Sequence, residues 1–149
     1  LTDVGGVLLI VGAGGGLSAV LIEAGVNNAV NELADRLAVS PLVMAWLMAA
    51  VVRVATGSAT VAIASAAQLV AKLAGANPTI RPEFFVLAMG AGSLVLSHVN
   101  DGGFWLVQKY ARLTVPQTLR TWTIMETMVS VVALGLILIL NAAIRSGGF

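Results

Sequence analysis

Long apolar runs interrupted by short polar ones set the pattern of this chain. Gly5 to Ile22 is apolar and ends at Glu23. At about 1.5 Å per residue such a run crosses a hydrocarbon core of roughly 30 Å, which predicts a transmembrane helix over 5–23. Gly12 and Gly16 form a GxxxG pair inside it, the spacing that lets two helices approach closely. From Asn27 to Ala38 the pattern changes. Val30, Leu33, Ala34 and Leu37 fall on one helical face, and Asn31, Glu32, Asp35 and Arg36 largely on another. That periodicity predicts a short amphipathic helix over 27–38 lying along the membrane interface.

Ser40-Pro41 opens the next helix, serine as N-cap and proline in the first turn. Two apolar arms follow within 42–73. Leu42 to Arg53 is the first and Val61 to Leu73 the second. The stretch between them, Val54-Ala55-Thr56-Gly57-Ser58-Ala59-Thr60, is rich in small and hydroxyl residues. Each arm makes roughly 18 Å of helix, too short to cross a bilayer alone. Two geometries fit: one tilted span with a helical tail, or a re-entrant hairpin with its tip at 56–60. Non-helical backbone at that depth needs protein or water to satisfy it.

Gly75-Ala76-Asn77-Pro78 reads as a turn, and Pro82 starts another helix. Phe84 to Leu96 is apolar, Ser97 to Gly103 is a polar break, and Phe104 to Leu113 resumes as a half-helix. Together they predict a broken transmembrane helix over 84–113. Thr114 to Arg120 reads as a loop around Pro116, with Trp122 as an interfacial anchor. A final transmembrane helix is predicted over 121–144, carrying Glu126 about one turn inside.

Composition agrees with this pattern. The chain has 149 residues, 58% hydrophobic and 10% charged, where a soluble domain carries about 25% charged residues. The fold class expected is an all-α, polytopic membrane protein, with the lipid bilayer as its main partner. The net charge of +1 and the absence of a basic patch argue against nucleic acid as a partner. With no cysteine and one histidine, neither a metal centre nor a cofactor site is expected. No nucleophile elbow, phosphate loop or dinucleotide fingerprint appears, so no enzyme is expected. The first residues lack the basic segment of a secretory leader, so the first apolar run reads as a span. Lys109, Arg112 and Arg120, with no acid among them, place the 109–120 segment in the cytoplasm.

The two polar breaks carry the candidate chemistry. Helices that begin near Thr60 and Phe104 aim positive N-termini at whatever lies between them, which suits an anion. Arg53, Thr56, Gly57, Ser58, Thr60, Asn100 and Gly102 are the candidate substrate contacts. The Arg53 guanidinium either holds a carboxylate, pairs with an acid elsewhere in the protein, or snorkels to the interface. Asp101 is the first candidate for proton coupling and His98 the second, since ionisable groups at membrane depth mark proton pathways. Asp101 also stands where it can cap the following half-helix, and the two roles are compatible. Glu126 is expected to pair with Arg120 or nearby threonines, with a role in transport as the other reading. Three functional classes remain open on these residues: a solute carrier, a non-transporting assembly module, and an intramembrane hydrolase built on Ser58 and His98.

Three stretches together carry a family resemblance: Gly5-Gly6-Val7-Leu8-Leu9-Ile10-Val11-Gly12-Ala13-Gly14-Gly15-Gly16, Arg53-Val54-Ala55-Thr56-Gly57-Ser58-Ala59-Thr60-Val61-Ala62, and Ser97-His98-Val99-Asn100-Asp101-Gly102-Gly103-Phe104-Trp105. The chain resembles the C-terminal part of the gluconate permease family, proton-coupled symporters of sugar acids in bacterial inner membranes. The resemblance implies roughly the last third of a longer carrier, whose N-terminal part supplies the other half of the site. The family is similar to a wider ion-transporter superfamily with inverted repeats and a tendency to dimerise. By that likeness 42–73 is a re-entrant hairpin and 84–113 the broken helix it meets. Sodium-coupled relatives carry an asparagine at the hairpin tip. Here the tip reads Thr56-Gly57-Ser58-Ala59-Thr60, so the resemblance implies a proton as coupling ion.

Overall fold

The computed structural model describes residues 39–147 and, before them, Gly12, Gly16, Ala19, Val20, Glu23, Ala24 and Gly25. The helix expected over 5–23, those single residues apart, and the interfacial helix expected over 27–38 lie outside the described residues. Gly12 and Gly16 are helical and exposed, so the close approach expected of them is not made among the described residues.

The described residues are helical, without strands. Helix α1 (Pro41–Thr56) starts with proline in its first turn. Ser40 occupies the N-cap position, but its side chain makes no capping bond. Gly57 ends the helix in the left-handed region, φ 72°, and its N–H returns to the Arg53 carbonyl. Helix α2 (Ala59–Ala76) follows almost at once, with Ser58 as N-cap accepting from the Val61 N–H. The two helices pack on each other as a hairpin around Gly57 and Ser58. At 18 residues, α2 is longer than its apolar run suggested, about 27 Å, because Thr60 and Ala74 to Ala76 continue the helix. By length and composition α2 is long and apolar enough to cross a membrane, a longer helix than the arm expected there.

Helix α3 (Pro82–Gly92) lies against α1. A side chain on Gly92 would meet the Trp46 carbonyl oxygen at 2.2 Å, so the two backbones touch there. Alanines 45, 49, 88 and 91 allow the same closeness and are buried in the core. Leu42, Met48, Leu69, Val70, Phe84, Phe85 and Met89 fill the rest of that core.

After Gly92 the chain leaves helical geometry earlier than its hydropathy suggested. Ser93 donates its hydroxyl to the Gly90 carbonyl, and Leu96 takes a positive φ of 49°. A branched residue in the left-handed region is strained and needs support from its surroundings. The Leu96 N–H finds that support at the Thr127 hydroxyl, 3.2 Å away. Helix α4 (Gly102–Tyr110) restarts the chain, capped by Asp101, and ends with Arg112 at φ 53°.

Helix α5 (Val115–Arg145) is 31 residues long, about 46 Å, and also passes the length and composition test for a membrane span. It begins earlier than expected. Thr114 and Gln117 form a capping box and Pro116 sits in the first turn, so residues 115–120 are helix instead of loop. One wide π turn, Leu119–Thr123, interrupts it. Its face toward α3 buries Thr123, Ser130, Ile137 and Asn141, while Ile124, Met128, Val131, Val132, Leu136 and Ile139 are exposed. An apolar outer face of that kind suits lipid.

Candidate functional site

The two polar breaks meet. A side chain on Gly57 would strike the Asn100 carbonyl oxygen at 2.2 Å, so only glycine fits at this contact. Asn100 donates its side-chain amide to the Val54 carbonyl at 3.0 Å, using an acceptor in the last turn of α1. Gly57 and Asn100 each stand two residues before a helix, so α2 and α4 both start close to this contact. Ser58 caps the first, and Asp101 caps the second by accepting from the Gly103 N–H at 2.9 Å. The positive ends of two helices thus border one polar junction.

Arg53 holds the junction together from beneath. It is 3% exposed. One terminal nitrogen, Nη1, donates to the Gly57 carbonyl; the other, Nη2, donates to Asp101 Oδ2 at 2.5 Å. The alternative in which Arg53 pairs with an acid is therefore realised. The second carboxylate facing it is Glu126 from α5, with Oε2 at 3.8 Å from Nη2. Glu126 meets Arg53 and not Arg120, contrary to the expectation from sequence neighbours. Arg53 Nε is buried with no hydrogen-bond partner.

Ser97, fully buried, joins the break to α5. Its hydroxyl donates to Asp101 Oδ2 and accepts from Trp122 Nε1 at 2.9 Å, while its carbonyl accepts from the Thr123 hydroxyl. Neighbouring residues on a regular helix point about 100° apart. The wide turn at Leu119–Thr123 lets Trp122 and Thr123 both reach Ser97, a use typical of π turns at functional sites. Trp122 is thus an internal partner, beyond the interfacial anchor expected. Trp105 donates to the Val99 carbonyl at 2.8 Å and packs edge-on against buried Phe104, which fixes the outer part of the break.

The other sequence candidates sit around this core. Thr56 is half-buried, its hydroxyl turned back to the Val52 carbonyl and accepting weakly from the Ser58 N–H. Thr60, Asn100 and Gly102 are exposed. His98 is half-buried and donates Nδ1–H to the Leu96 carbonyl at 2.7 Å, within the break itself. Sequence reasoning missed Ser97, Trp122 and Thr123 as members of the site. Thr123, Glu126, Thr127 and Ser130 follow the i, i+3, i+4, i+7 spacing of one helical face. On an apolar helix that polar stripe was the available signal.

Two helices long and apolar enough to cross a membrane, beside a polar, helix-broken junction, point to a membrane protein. The chain belongs to the GntP family of permeases, whose family model matches residues 1–143. It is 48% identical over 141 residues to a gluconate permease of Pseudomonas aeruginosa, covering 95% of this chain and 31% of that protein. A gluconate permease of Bacillus subtilis is 44% identical over 144 residues, 97% of this chain and 32% of its own length. An L-idonate transporter of Escherichia coli is 44% identical over 139 residues, 93% of this chain and 31% of its own. The chain thus spans about a third of the length of these relatives. No solved structure shows a significant match.

Proposed function

We propose that this chain is part of a secondary transporter that takes up gluconate or a related sugar acid with a proton. The observation that carries the reading is the contact between Gly57 and Asn100, which joins two helix breaks and two helix N-termini at one place. The relatives include gluconate permeases and an L-idonate transporter. Both are hydroxylated carboxylates. Helix N-termini with free backbone N–H groups suit the carboxylate, and Thr56, Ser58, Thr60 and Asn100 suit the hydroxyls. Gly102, exposed with nothing within 4 Å of its Cβ position, lets backbone approach the solute closely, while Gly57 lets the two breaks meet.

In this reading α1 and α2 form a re-entrant hairpin and α3 to α4 a broken membrane helix, one half of an inverted repeat. The remaining N-terminal part of the carrier completes the site, in a multi-pass protein of the bacterial inner membrane that pairs as a homodimer. Arg53, placed by sequence among the carboxylate contacts, acts through the two breaks it ties together. Coupling belongs to the acids around Arg53, Asp101 among them, with His98 nearby in the break.

The test is uptake of labelled gluconate by the complete permease in liposomes, with and without an acid-outside gradient. Accumulation that collapses with a protonophore is the expected result. A protein that moves neither gluconate nor idonate under any gradient would overturn the proposal.

A further inference from the structure

We propose that Glu126 is the residue that takes up the coupling proton, and that it does so by competing with Asp101 for the single cation Arg53. The inference rests on the transport reading above and goes further by assigning the proton to one side chain on α5. Arg53 is buried and faces two carboxylates, Asp101 at 2.5 Å and Glu126 at 3.8 Å. Among the described residues no second lysine or arginine lies within ion-pair distance of either acid. With both acids ionised the cluster carries one uncompensated negative charge, and a single proton neutralises it.

Geometry decides which acid has room for that proton. Asp101 is committed at both oxygens. Oδ2 accepts from Arg53 and Ser97, and Oδ1 accepts from the Gly103 N–H at the start of α4. A proton there would displace one of these donors and uncap the helix. Glu126 stands beyond hydrogen-bond distance of the guanidinium, so protonating it breaks no direct bond to Arg53. The cation retains a buried donor, Nε, with no acceptor. The donors of Arg53 are thus not exhausted by Asp101 and Gly57, and at 3.8 Å from Nη2 Glu126 is the acid left to compete for the cation.

The groups around Glu126 are few. Arg53 comes from α1, and Asp101 with the Ser97 hydroxyl from the break, whose other titratable residue, His98, is bonded to the Leu96 carbonyl. Helix α3 has no ionisable residue after Glu83, which pairs with Arg81 at 3.6 Å. The remaining ionisable residues of α4 are Lys109 and Tyr110 at its far end, and the nearest on α5 is Arg120. Position also links the proton to movement. Glu126 lies three residues after the end of the turn whose Trp122 and Thr123 grip Ser97, so a change in its attraction to Arg53 acts on the helix that holds the break.

The experiment uses the complete permease in liposomes and compares the wild type with Glu126→Gln. Two readings are taken: exchange of labelled gluconate for internal gluconate, which needs no net proton movement, and gluconate-driven proton entry followed with an internal pH dye. Glu126→Gln is expected to exchange near the wild-type rate while proton entry and uphill accumulation are lost. Proton entry at the wild-type ratio to gluconate would overturn the assignment. So would loss of exchange in a variant present in the membrane, because Glu126 would then serve solute binding. If Glu126→Gln is absent from the membrane, Glu126→Asp decides. A shifted pH midpoint for accumulation supports the assignment; an unchanged midpoint, or failure of this variant too to reach the membrane, overturns it. A wild type that neither exchanges nor accumulates gluconate instead removes the transport reading itself.

Discussion

Gly57 lies against the Asn100 backbone so closely that an added Cβ would sit 2.2 Å from the Asn100 carbonyl oxygen. Gly57 also has φ 72°, a conformation that costs a residue with a side chain about 1–2 kcal/mol before any clash. Gly57→Ala is therefore expected to lower the melting temperature of the purified permease and to reduce gluconate uptake together. Gly135→Ala, where a Cβ meets nothing within 4 Å, is the matched control and should do neither. Wild-type stability in Gly57→Ala would mean that the two breaks do not touch.

Arg53 ties together three segments, and its removal should be felt by all of them. Taking away one partner of a buried pair leaves the other charge uncompensated, at a cost of about 3–5 kcal/mol. Arg53→Met is expected to destabilise by that order in thermal or denaturant unfolding. Asp101→Asn alone should cost less, and Arg53→Met with Asp101→Asn should cost less than the sum of the two. Strict additivity in that cycle would remove the ion pair from the account of the site.

Ser97 offers a sharper test of how α5 is attached. Its buried hydroxyl sits between Trp122 Nε1 and Asp101 Oδ2. Ser97→Ala leaves the half-buried Trp122 Nε1 without its acceptor, which costs about 1 kcal/mol. Trp122→Phe removes the same bond from the other side. The two substitutions combined should destabilise by clearly less than their sum, read from the same melting curves. Independent effects would place Trp122 outside the junction.

The parts of the molecule governed by local chemistry were legible in the sequence. Pro41 and Pro82 start helices where proline is tolerated, and the two breaks fall on the runs around Gly57 and Asn100. Asp101 caps α4 as its position before two glycines suggested. The exits from helical geometry at Ser93 and Leu96 were hidden, because Leu94, Val95 and Leu96 read as uninterrupted apolar helix. What holds them open is a hydroxyl from Thr127, 31 residues away in sequence, and hydropathy carries no record of such a partner. The pairing of Arg53 with Asp101 spans 48 positions and is long-range in the same sense. The start of α5 reads as a loop for a local reason, its proline, although Thr114 and Gln117 spell a capping box.

Arg53 stands on α1, and Gly92 sets how closely α1 packs on α3. A Cβ at Gly92 would lie 2.2 Å from the Trp46 carbonyl oxygen and 3.1 Å from the Ala49 Cβ, so backbone must move to admit it. Trp46 also donates Nε1 to Ser130 on α5, whose hydroxyl donates on to the Ala91 carbonyl. Displacing α1 from α3 therefore strains the link to α5 as well. Overpacking of this kind typically costs about 1–3 kcal/mol. Gly92→Ala is expected to lower the melting temperature and to slow gluconate exchange, since Arg53 moves with α1. Gly90→Ala, two residues earlier with nothing within 4 Å of its Cβ, should leave both unchanged. Equal behaviour of the two variants would mean that the helices are not in backbone contact at Gly92, and that the position of Arg53 is set elsewhere.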